Sequence, residues 1–442
     1  MIISSHSGKP LHVFLGGVTG FALGILFFIL ALYNLVYFVC GYTAMHTQDF
    51  GKLFNTTTSL LNGRYDGYIN SFATLVLISR YKYCYLFNMN PPHFHILLIP
   101  ISFFNIYSAF YIWTFINFMC LIISLILIIK ETRIKITFFR SFLIFFGVLI
   151  FASTVPNLLT GQLSFLLLLP FTLAWIAARR GNWLKAGVWM GILMSVKLFL
   201  LIYLPYLVLK RQYRAAAVAC LSAALCFGCG LLVFGWKAQI AWLQALSAVN
   251  WVWLSMNMSV LGFLTRILSE SHDFQPILMA PGLIKPLWVM VAGLIGLITV
   301  AVPAVDTSEN AVDRGFALLV LGALLISPLG WIYYLWFSVG PLAMLLKSWF
   351  GAGTSFDFKE KVRAYKWRNY LLIIAIPGLV WPLIGLLWFE PSIWATILIG
   401  SIYFWSVLAL WLGLLADWIG ASGNFSLREI WSIGQTALLG KG

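Results

Sequence analysis

A few polar side chains in a very apolar chain are of types that could perform chemistry. Asp49 and Asp66 are carboxylates in the segment MHTQDFGKLFNTTTSLLNGRYDGY, residues 45–68, and Lys197 is a lone cation inside a long apolar run. A carboxylate can act as a general base. A cation within an apolar, membrane-like segment marks a functional site by default. These two features make Asp49 and Lys197 the leading candidates for a site.

Further polar residues lie far apart in the chain but at points where apolar runs end. They are Asn90-Pro-Pro-His93, Asn157 to Gln162, Asn257, Ser259, Arg266, Ser327-Pro328 and Trp331. Polar groups at membrane depth cost several kcal/mol unless they are satisfied. If the topology brings these residues to one face, they predict a wet cavity that opens to the outside.

Each candidate also has a structural interpretation. Asp49 could cap a surface helix, and Asp66, in Gly63-Arg-Tyr-Asp-Gly, is typical of a turn. Gln162 could hydrogen-bond between helices without any other role. Arg266 could face lipid headgroups, and Lys197 could extend its ammonium to the membrane surface.

Other chemistries are not supported by the sequence. His93 and His95 could ligate a metal, but no carboxylate or cysteine accompanies them at ligand spacing, so no metal site is predicted. Cys226 and Cys229 lie in an apolar run without a second pair, which favours helix packing over redox or zinc chemistry. A Walker loop, a dinucleotide fingerprint and a zinc-protease helix are all absent from the sequence, and no cofactor is expected.

The composition of the chain predicts the type of secondary structure that holds these residues. The chain of 442 residues is 62% hydrophobic and 9% charged, and many runs approach the ~20 apolar residues that cross a bilayer. It therefore predicts an all-α polytopic membrane protein and excludes an outer-membrane barrel, whose segments alternate. The net charge of +15 does not indicate nucleic acid, because Lys and Arg form short clusters between apolar runs.

Placing the basic clusters in the cytoplasm fixes a topology. These clusters lie at 130–140, 179–185, 210–214 and 359–368. A helix at about 11–40 then leads outward to a first external, periplasmic loop at 41–93, and the apolar region after it is broken near Pro100. Basic residues flank segment 186–209 on both sides, so it must form two short helices with Lys197 between them.

The rest of the chain fits one integral membrane domain, residues 1–442, in the inner or plasma membrane. A stretch rich in tryptophan, 235–283, is expected to lie partly flat on the outer surface. The topology predicts about 11–13 transmembrane or half-membrane helices, with both termini in the cytoplasm and membrane lipids around the bundle.

The polar residues, taken in order, resemble glycosyltransferase family 87. The resemblance rests on Asp49-Phe50, Leu60-Leu-Asn-Gly63, Tyr68, Pro91-Pro92, Asn157-Leu-Leu-Thr-Gly-Gln162, Val196-Lys197, Asn257-Met-Ser259, Arg266 and Ser327-Pro-Leu-Gly-Trp331. It spans about residues 45–345. The family commonly has His two residues after the tryptophan, where this chain has Tyr333. Tyrosine can donate a hydrogen bond but is neither a cation nor a base near neutral pH.

The resemblance implies a GT-C-like bundle whose first external loop is catalytic. It implies transfer of a mannose-like hexose or pentose from a polyprenyl-phosphate sugar to a lipid or glycan acceptor on the external face, with inversion at the anomeric carbon. Asp49 matches the catalytic acid of the family by position and would be the general base. Lys197 and Arg266 would bind the donor phosphate. The other substrate-binding candidates are Gln162, Asn257, Ser259, Trp331 and Tyr333.

A transporter or flippase of lipid or sugar is the alternative. It too would use a broken hairpin with a buried charge and an outward polar cavity. Transporters usually show paired interrupted helices in two halves, and the interruptions in this sequence do not recur at corresponding positions, which favours the enzyme.

Overall fold

The computed structural model describes residues 29, 49–68, 72–73, 84–85, 87–249, 251–271, 273–351, 366–382 and 390–422. Apart from Ile29, the predicted first helix at 11–40 lies outside these residues, as does most of the basic cluster at 359–368. The described chain is almost entirely helical. Its strands are a two-residue antiparallel pair, β1 (Phe72–Ala73) and β2 (Cys84–Tyr85).

Fifteen α-helices are labelled here in chain order within the described residues. They are α1 Asp49–Leu61, α2 Pro92–His95, α3 Ile106–Thr132, α4 Phe138–Ile150, α5 Thr154–Thr160, α6 Ser164–Arg179, α7 Trp183–Val196, α8 Tyr203–Leu209, α9 Tyr213–Ser247, α10 Val260–Leu268, α11 Pro281–Val305, α12 Ala311–Ile326, α13 Val339–Gly351, α14 Lys366–Val380 and α15 Ile402–Ser422. Short 3₁₀ turns occupy Asp66–Tyr68, Ile96–Leu98, Pro100–Phe103, Leu198–Ile202 and Ile332–Ser338, and a π turn occupies Ala395–Ile399.

The lengths of the helices confirm an all-α polytopic membrane protein. In the described part, α3, α9, α11 and α15 are each long and apolar enough to cross a bilayer, and α4 with α5 forms a pair bent by 60° that adds a fifth candidate span. Shorter apolar helices, among them α6, α7 and α14, fill the space between them. Exposed side chains such as Phe115, Leu232 and Leu297 show the outward, apolar faces of the long helices.

Local sequence signals set where these helices begin and end. The Asn105 side chain accepts a hydrogen bond from Ser108 N at 2.9 Å and starts α3, and Asn182 does the same for Lys185 N at 3.1 Å at the start of α7. The expected break near Pro100 takes the form of two 3₁₀ turns ahead of α3.

Charged residues cluster at one end of the bundle and link its helices. Arg179 and Arg180, at the end of α6, both pair with Glu131 at the end of α3, and Arg179 also pairs with Asp313 in α12. Since α6 starts beside Gln162 and ends at Arg179, this basic end lies opposite the Gln162 end. Three of the four predicted cytoplasmic clusters therefore contribute to one end of the molecule, because Lys210 also reaches it by donating to the Asp306 carbonyl at 2.7 Å.

A second network at the basic end is almost completely buried. Arg314 pairs with Asp306 and, at 2.8 Å, with Asp417, and Arg368 from the fourth cluster binds Asp417 at 3.0 Å. The two arginines and two aspartates come from α12, the end of α11, α15 and α14. They hold the last helices of the chain against α12.

The segment around Lys197 forms the predicted re-entrant hairpin. The fourteen residues of α7 run from the basic end to Val196, a 3₁₀ turn begins after Lys197, and α8 returns to Lys210. Both arms begin and end beside basic residues, and Lys197 lies where the direction reverses.

The tryptophan-rich stretch is more buried than expected from the sequence. The backbone of α9 leaves helical geometry at Gly235, with φ +75°, and Trp236 just beyond it is exposed. Trp242 and Trp251, however, are buried. Trp242 donates to the Met89 carbonyl at 3.1 Å, and the Trp251 ring lies 5.4 Å from that of Phe87. These two indoles cover the end of the first loop and do not lie at a lipid boundary.

Candidate active site

A cavity of about 870 Å³ lies at the end of the bundle opposite the basic residues. The start of α1, the Lys197 turn and the loops around residues 251–256 and 326–334 all contribute to its wall. Five of the eight predicted site residues line it, namely Asp49, Gln162, Lys197, Trp331 and Tyr333. The remaining three, Asn257, Ser259 and Arg266, lie behind the wall.

The Asp49 carboxylate is held by two donors. Gln162 Nε2 donates to Asp49 Oδ2 at 2.5 Å, and Lys52, one helical turn along α1, forms an ion pair with Asp49 Oδ1. Although Asp49 is the first residue of α1, the contacts described for its carboxylate are to these two side chains, and none caps its own helix. Its side chain is 13% exposed, so the carboxylate is fixed in place yet accessible from the cavity.

A glycine brings Asp49 and Gln162 together. Helix α5 ends at Gly161 with φ +66°, in the left-handed region that favours glycine. A Cβ at this position would lie 2.6 Å from Phe50 Cβ, so the absence of a side chain lets Phe50 pack on the turn. The Gly161 carbonyl also accepts a hydrogen bond from Trp113 Nε1 at 2.7 Å. Because Phe50 and Asp49 are neighbours, this packing places the carboxylate beside Gln162.

Lys197 faces the same cavity with its ammonium oriented by two groups. Nζ donates to Asn90 Oδ1 at 2.8 Å and lies 5.2 Å from the centroid of the Tyr334 ring. An ammonium has three donor hydrogens, so these contacts leave donor capacity for an oxygen atom in the cavity. The site thus contains a fixed carboxylate and an oriented cation.

Asn257 joins two of the loops that form the wall. Its Nδ2 donates to the carbonyls of Val252 at 2.8 Å and Pro328 at 2.9 Å, and its Oδ1 accepts from Gly330 N at 2.9 Å. Ser259 caps α10 by accepting from Gly262 N at 3.0 Å. Both residues are fully buried. Their side-chain hydrogen bonds therefore position the wall, and the substrate contacts predicted for them stay a prediction.

Arg266, which is predicted to bind the donor phosphate, lies behind the cavity wall. Its side chain is completely buried, and Nη1 donates to the carbonyls of Trp253, Leu254 and Asn257. Nε donates to Ser401 Oγ at 3.1 Å. Nη1 thus holds the 253–257 loop through backbone carbonyls, while Nη2 is buried without a hydrogen-bond partner among the described residues. Binding of the donor phosphate by Arg266 stays a prediction.

Trp331 and Tyr333 line the cavity and belong to the loop around residues 326–334. Trp331 pairs with Asn257 in an isolated antiparallel bridge and remains partly exposed. Tyr333 is 4% exposed, and its hydroxyl lies 3.7 Å from Met256 Sδ. Its carbonyl accepts hydrogen bonds from Ser153 and Asn157, which ties this loop to α5. Tyr333 is therefore at the cavity wall.

The two histidines of the first loop have structural partners. His95 is fully buried between Thr57 and Asn88, and His93 Nε2 lies 3.1 Å from Ser195 Oγ. Burial lowers the pKa of His95 to about 3 and that of His93 to about 4, so both are neutral near pH 7. Among the described residues, no group of three or more potential ligands is placed to hold a metal ion.

Lys52, Asn90 and Tyr334 line the cavity, and the sequence predicted no individual role for any of them. Lys52 could have been found, because a cation three residues after Asp49 shares its face if a helix starts there. Asn90 belonged to the predicted polar set, but nothing in the sequence connects it to Lys197. Tyr334 follows Tyr333 and would lie on the opposite side of an extended loop, whereas the 3₁₀ turn at Ile332–Ser338 brings both to the cavity.

Comparison with known proteins adds independent evidence. The model of glycosyltransferase family 87 matches residues 88–328, more than half of the chain. A polyprenol-phosphate-mannose-dependent alpha-(1-2)-phosphatidylinositol pentamannoside mannosyltransferase of Mycobacterium tuberculosis (strain CDC 1551 / Oshkosh) is 30% identical over 275 residues. That alignment covers 60% of this chain and 57% of the relative, so the two share little more than half of their lengths. No solved structure shows a significant match.

The family match includes Gln162, Lys197 and the Asn257 loop, which form much of the cavity wall. Asp49 precedes the matched residues and Trp331 follows them. The ordered polar residues, the helical membrane architecture and the match over more than half of the sequence agree with one another. The chain belongs to glycosyltransferase family 87.

Proposed function

We propose that this chain is a membrane glycosyltransferase that moves a mannose-like hexose or pentose from a polyprenyl-phosphate carrier to a lipid or glycan acceptor, with inversion at the anomeric carbon. The observation that carries the proposal is that the Asp49 carboxylate and the Lys197 ammonium line one cavity. The Asp49 carboxylate can accept the proton of the incoming hydroxyl, and the Lys197 ammonium can stabilise the departing phosphate.

Asp49 would act as the general base. Gln162 and Lys52 hold its carboxylate in one orientation. The acceptor hydroxyl would give its proton to Asp49 while its oxygen bonds to the anomeric carbon. The bond between that carbon and the phosphate oxygen would break at the same time, and attack from the opposite side would invert the centre.

Lys197 would stabilise the phosphate as negative charge develops on it. Its ammonium already has Asn90 and Tyr334 as partners, so little reorientation is needed when the phosphate arrives. Lys52 also lines the cavity and would add a second positive charge. Because these cations belong to different elements, they could contact different oxygens of one phosphate.

The apolar part of the cavity suits the lipid portion of the donor. Its wall includes Leu198, Leu201 and Pro205 of the hairpin together with Leu246 and Leu261. Leu198 and Leu201 are 45% and 43% exposed, so an apolar surface continues from the cavity to the outside of the bundle. A prenyl chain would cover it and gain about 25 cal/mol for each Å² removed from water.

We place the site on the external face of the cell membrane and the termini in the cytoplasm. The support is the separation of charge along the bundle, with the basic clusters at the end opposite the cavity. A lipid-linked donor suits such a site because its sugar is already attached to the membrane.

The test is transfer of labelled mannose from a polyprenyl phosphate in proteoliposomes containing the full chain. The wild type should release the polyprenyl phosphate and form a labelled product whose new anomeric configuration is opposite to that of the donor. Asp49→Asn should lose roughly 10²–10⁴-fold in rate while the protein is still made and binds donor. If Asp49 only capped a helix, asparagine would serve about as well.

Asp66→Asn is the matched control. Asp66 is exposed in a turn, so this variant should keep nearly all activity. Near-normal turnover by Asp49→Asn would reject its role as base, and loss confined to Asp66→Asn would move the base there. Movement of intact donor across the bilayer, with the sugar–phosphate bond unbroken, would instead identify a flippase.

A further inference from the structure

Buried polar side chains form a continuous path from α1 to Lys197, and the proposed mechanism uses only its last member, Asn90. His95, Asn88 and Asn90 are 0%, 1% and 7% exposed. We propose that His95 is a positioning residue that orients the Lys197 ammonium through Asn88 and Asn90. The inference rests on the proposed function in so far as Lys197 binds the donor phosphate.

The hydroxyl of Thr57 fixes which nitrogen of His95 carries the proton. Thr57 Oγ1 donates its hydrogen to the Leu53 carbonyl at 2.8 Å. It also lies 2.7 Å from His95 Nδ1, and toward that atom it can only accept. Nδ1 therefore carries the hydrogen of the neutral ring, and Nε2 is left as an acceptor.

This acceptor fixes the side chain of Asn88. Its Nδ2 lies 3.0 Å from His95 Nε2 and must be the donor in that contact. Oδ1 then faces the opposite way and accepts from both the backbone N and the side-chain Nδ2 of Asn90, each at 3.0 Å. Each assignment follows from the previous one, so the Asn88 amide cannot flip without losing three hydrogen bonds.

Asn90, the last residue of the path, orients the Lys197 ammonium. With Nδ2 of Asn90 bound to Asn88, its Oδ1 faces Lys197 Nζ and accepts at 2.8 Å. If the His95 acceptor is removed, Asn88 loses the hydrogen bond that holds its Nδ2 and keeps only the bonds of its Oδ1 to Asn90. Asn88 and Asn90 are then less firmly oriented. Lys197 would lose its fixed direction although His95 never touches the cavity.

The first experiment needs no substrate. Thermal unfolding of the full chain in detergent is measured for His95→Leu, Lys197→Met and the double variant. Residues of one hydrogen-bond network show non-additive effects, so the two shifts in Tm should combine to less than their sum. Shifts that add within error would overturn the proposal, and they would do so whether or not the chain transfers sugar.

The second experiment measures binding of a polyprenyl phosphate without sugar. His95→Leu should raise the Kd by about ten-fold, the effect of one hydrogen bond to a charged group. In the Lys197→Met background the same substitution should change the Kd no further. His95→Gln, whose amide oxygen can accept from Asn88, should restore most of the affinity.

His93→Leu is the matched control, because it removes a neighbouring histidine that bonds Ser195 and lies outside the path. It should leave the Kd unchanged. An equal rise in Kd for His93→Leu, or failure of His95→Gln to restore affinity, would show that His95 only supports the short helix. If Lys197→Met itself leaves the Kd unchanged, the phosphate-binding role fails, while the unfolding experiment still decides whether the path exists.

Discussion

The amide of Gln162 donates a hydrogen bond to the carboxylate of Asp49 across 113 positions of sequence. One residue begins α1 and the other follows the turn after α5. Their contact closes the cavity wall between the first loop and the helical bundle. It also fixes one oxygen of the proposed base, while Lys52 pairs with the other oxygen.

Replacing Gln162 with methionine should slow sugar transfer without unfolding the protein. Methionine keeps the length of the side chain but donates no hydrogen bond to Asp49. Loss of one bond to a charged group, about 1.5 kcal/mol, corresponds to a roughly ten-fold lower rate. The rate constant at saturating donor is the measurement. Gln244→Met, at an exposed position of α9, is the control, and equal activity of both variants would contradict the role of Gln162.

Gly161→Ala should lower the Tm by more than the cost of a left-handed backbone conformation alone. Gly161 and Gly63 have nearly the same φ, +66° and +67°, but a Cβ at Gly161 meets Phe50 at 2.6 Å whereas one at Gly63 has open space. Each substitution carries the left-handed cost of about 1–2 kcal/mol, and only Gly161→Ala adds the clash. Thermal unfolding in detergent should show the larger loss for Gly161→Ala, and similar losses would contradict the packing argument.

Arg314→Met should strongly destabilise the helical bundle. It leaves Asp306 without its ion-pair partner and removes one of the two arginines that bind Asp417, in a buried network. Breaking a buried ion pair costs about 3–5 kcal/mol. Arg180→Met is the control, because Arg180 is 68% exposed and its pair with Glu131 should contribute only about 0–1 kcal/mol. The free energies of unfolding of the two variants should differ accordingly, and equal values would show that the Arg314 network is solvated.

Stability should fall on mild acidification because of His95. Its pKa is about 3 in the folded protein and about 6.5 in an unfolded chain. Between these values the unfolded chain binds a proton that the folded chain does not. The contribution is therefore fully present above about pH 7 and is lost as the pH falls through 6.5 toward 3.

The variant His95→Gln separates this effect from other acid-sensitive groups. The drop in Tm between pH 7 and pH 5 should be smaller in this variant than in the wild type, whatever its Tm at pH 7. The same drop in both proteins would mean that His95 does not contribute. His93, with a folded pKa of about 4, acts in the same direction and is retained in both.

Accessibility to a membrane-impermeant thiol reagent should distinguish the two ends of the bundle. In a background without the six native cysteines, Asn62→Cys should react from outside the cell. Lys185→Cys should react only when the cytoplasmic side is opened. Both residues are exposed, so lack of reaction would not reflect burial. The reverse pattern would place the cavity in the cytoplasm and contradict the proposed use of an external site.

Sequence patterns predicted the hairpin well because charge alone determines it. Basic residues on both sides of segment 186–209 leave only a re-entrant path, and the structure places Lys197 at its tip. The convergence of Asp49, Gln162 and Lys197 was harder to predict, because it depends on the packing of Phe50 against Gly161. The sequence shows such a glycine but not the side chain that packs against it.

Arg266 shows why a sequence pattern alone does not determine the role of an arginine. An arginine after an apolar loop looks like an anion-binding group, but its guanidinium can equally bind the carbonyls of its own loop. The sequence pattern alone does not distinguish binding of an anion from binding of loop carbonyls, since both require a hydrogen-bond donor near the membrane surface. The link between Asn90 and Lys197 was missed for a related reason: orientation of a side-chain amide depends on neighbours distant in sequence.

The length of α7 determines how far Lys197 lies from the basic end of the bundle. Fourteen residues at 1.5 Å each extend about 21 Å, roughly two thirds of the ~30 Å hydrocarbon layer. If Trp183 lies at the cytoplasmic boundary and α7 runs perpendicular to the layer, the backbone of Lys197 lies about 9 Å short of the far boundary. Under the proposed function, a carrier phosphate bound there would lie below the level of the surrounding headgroups. The helix would then set the depth at which the glycosidic bond is exchanged, and adding one turn would move that point outward by about 5 Å.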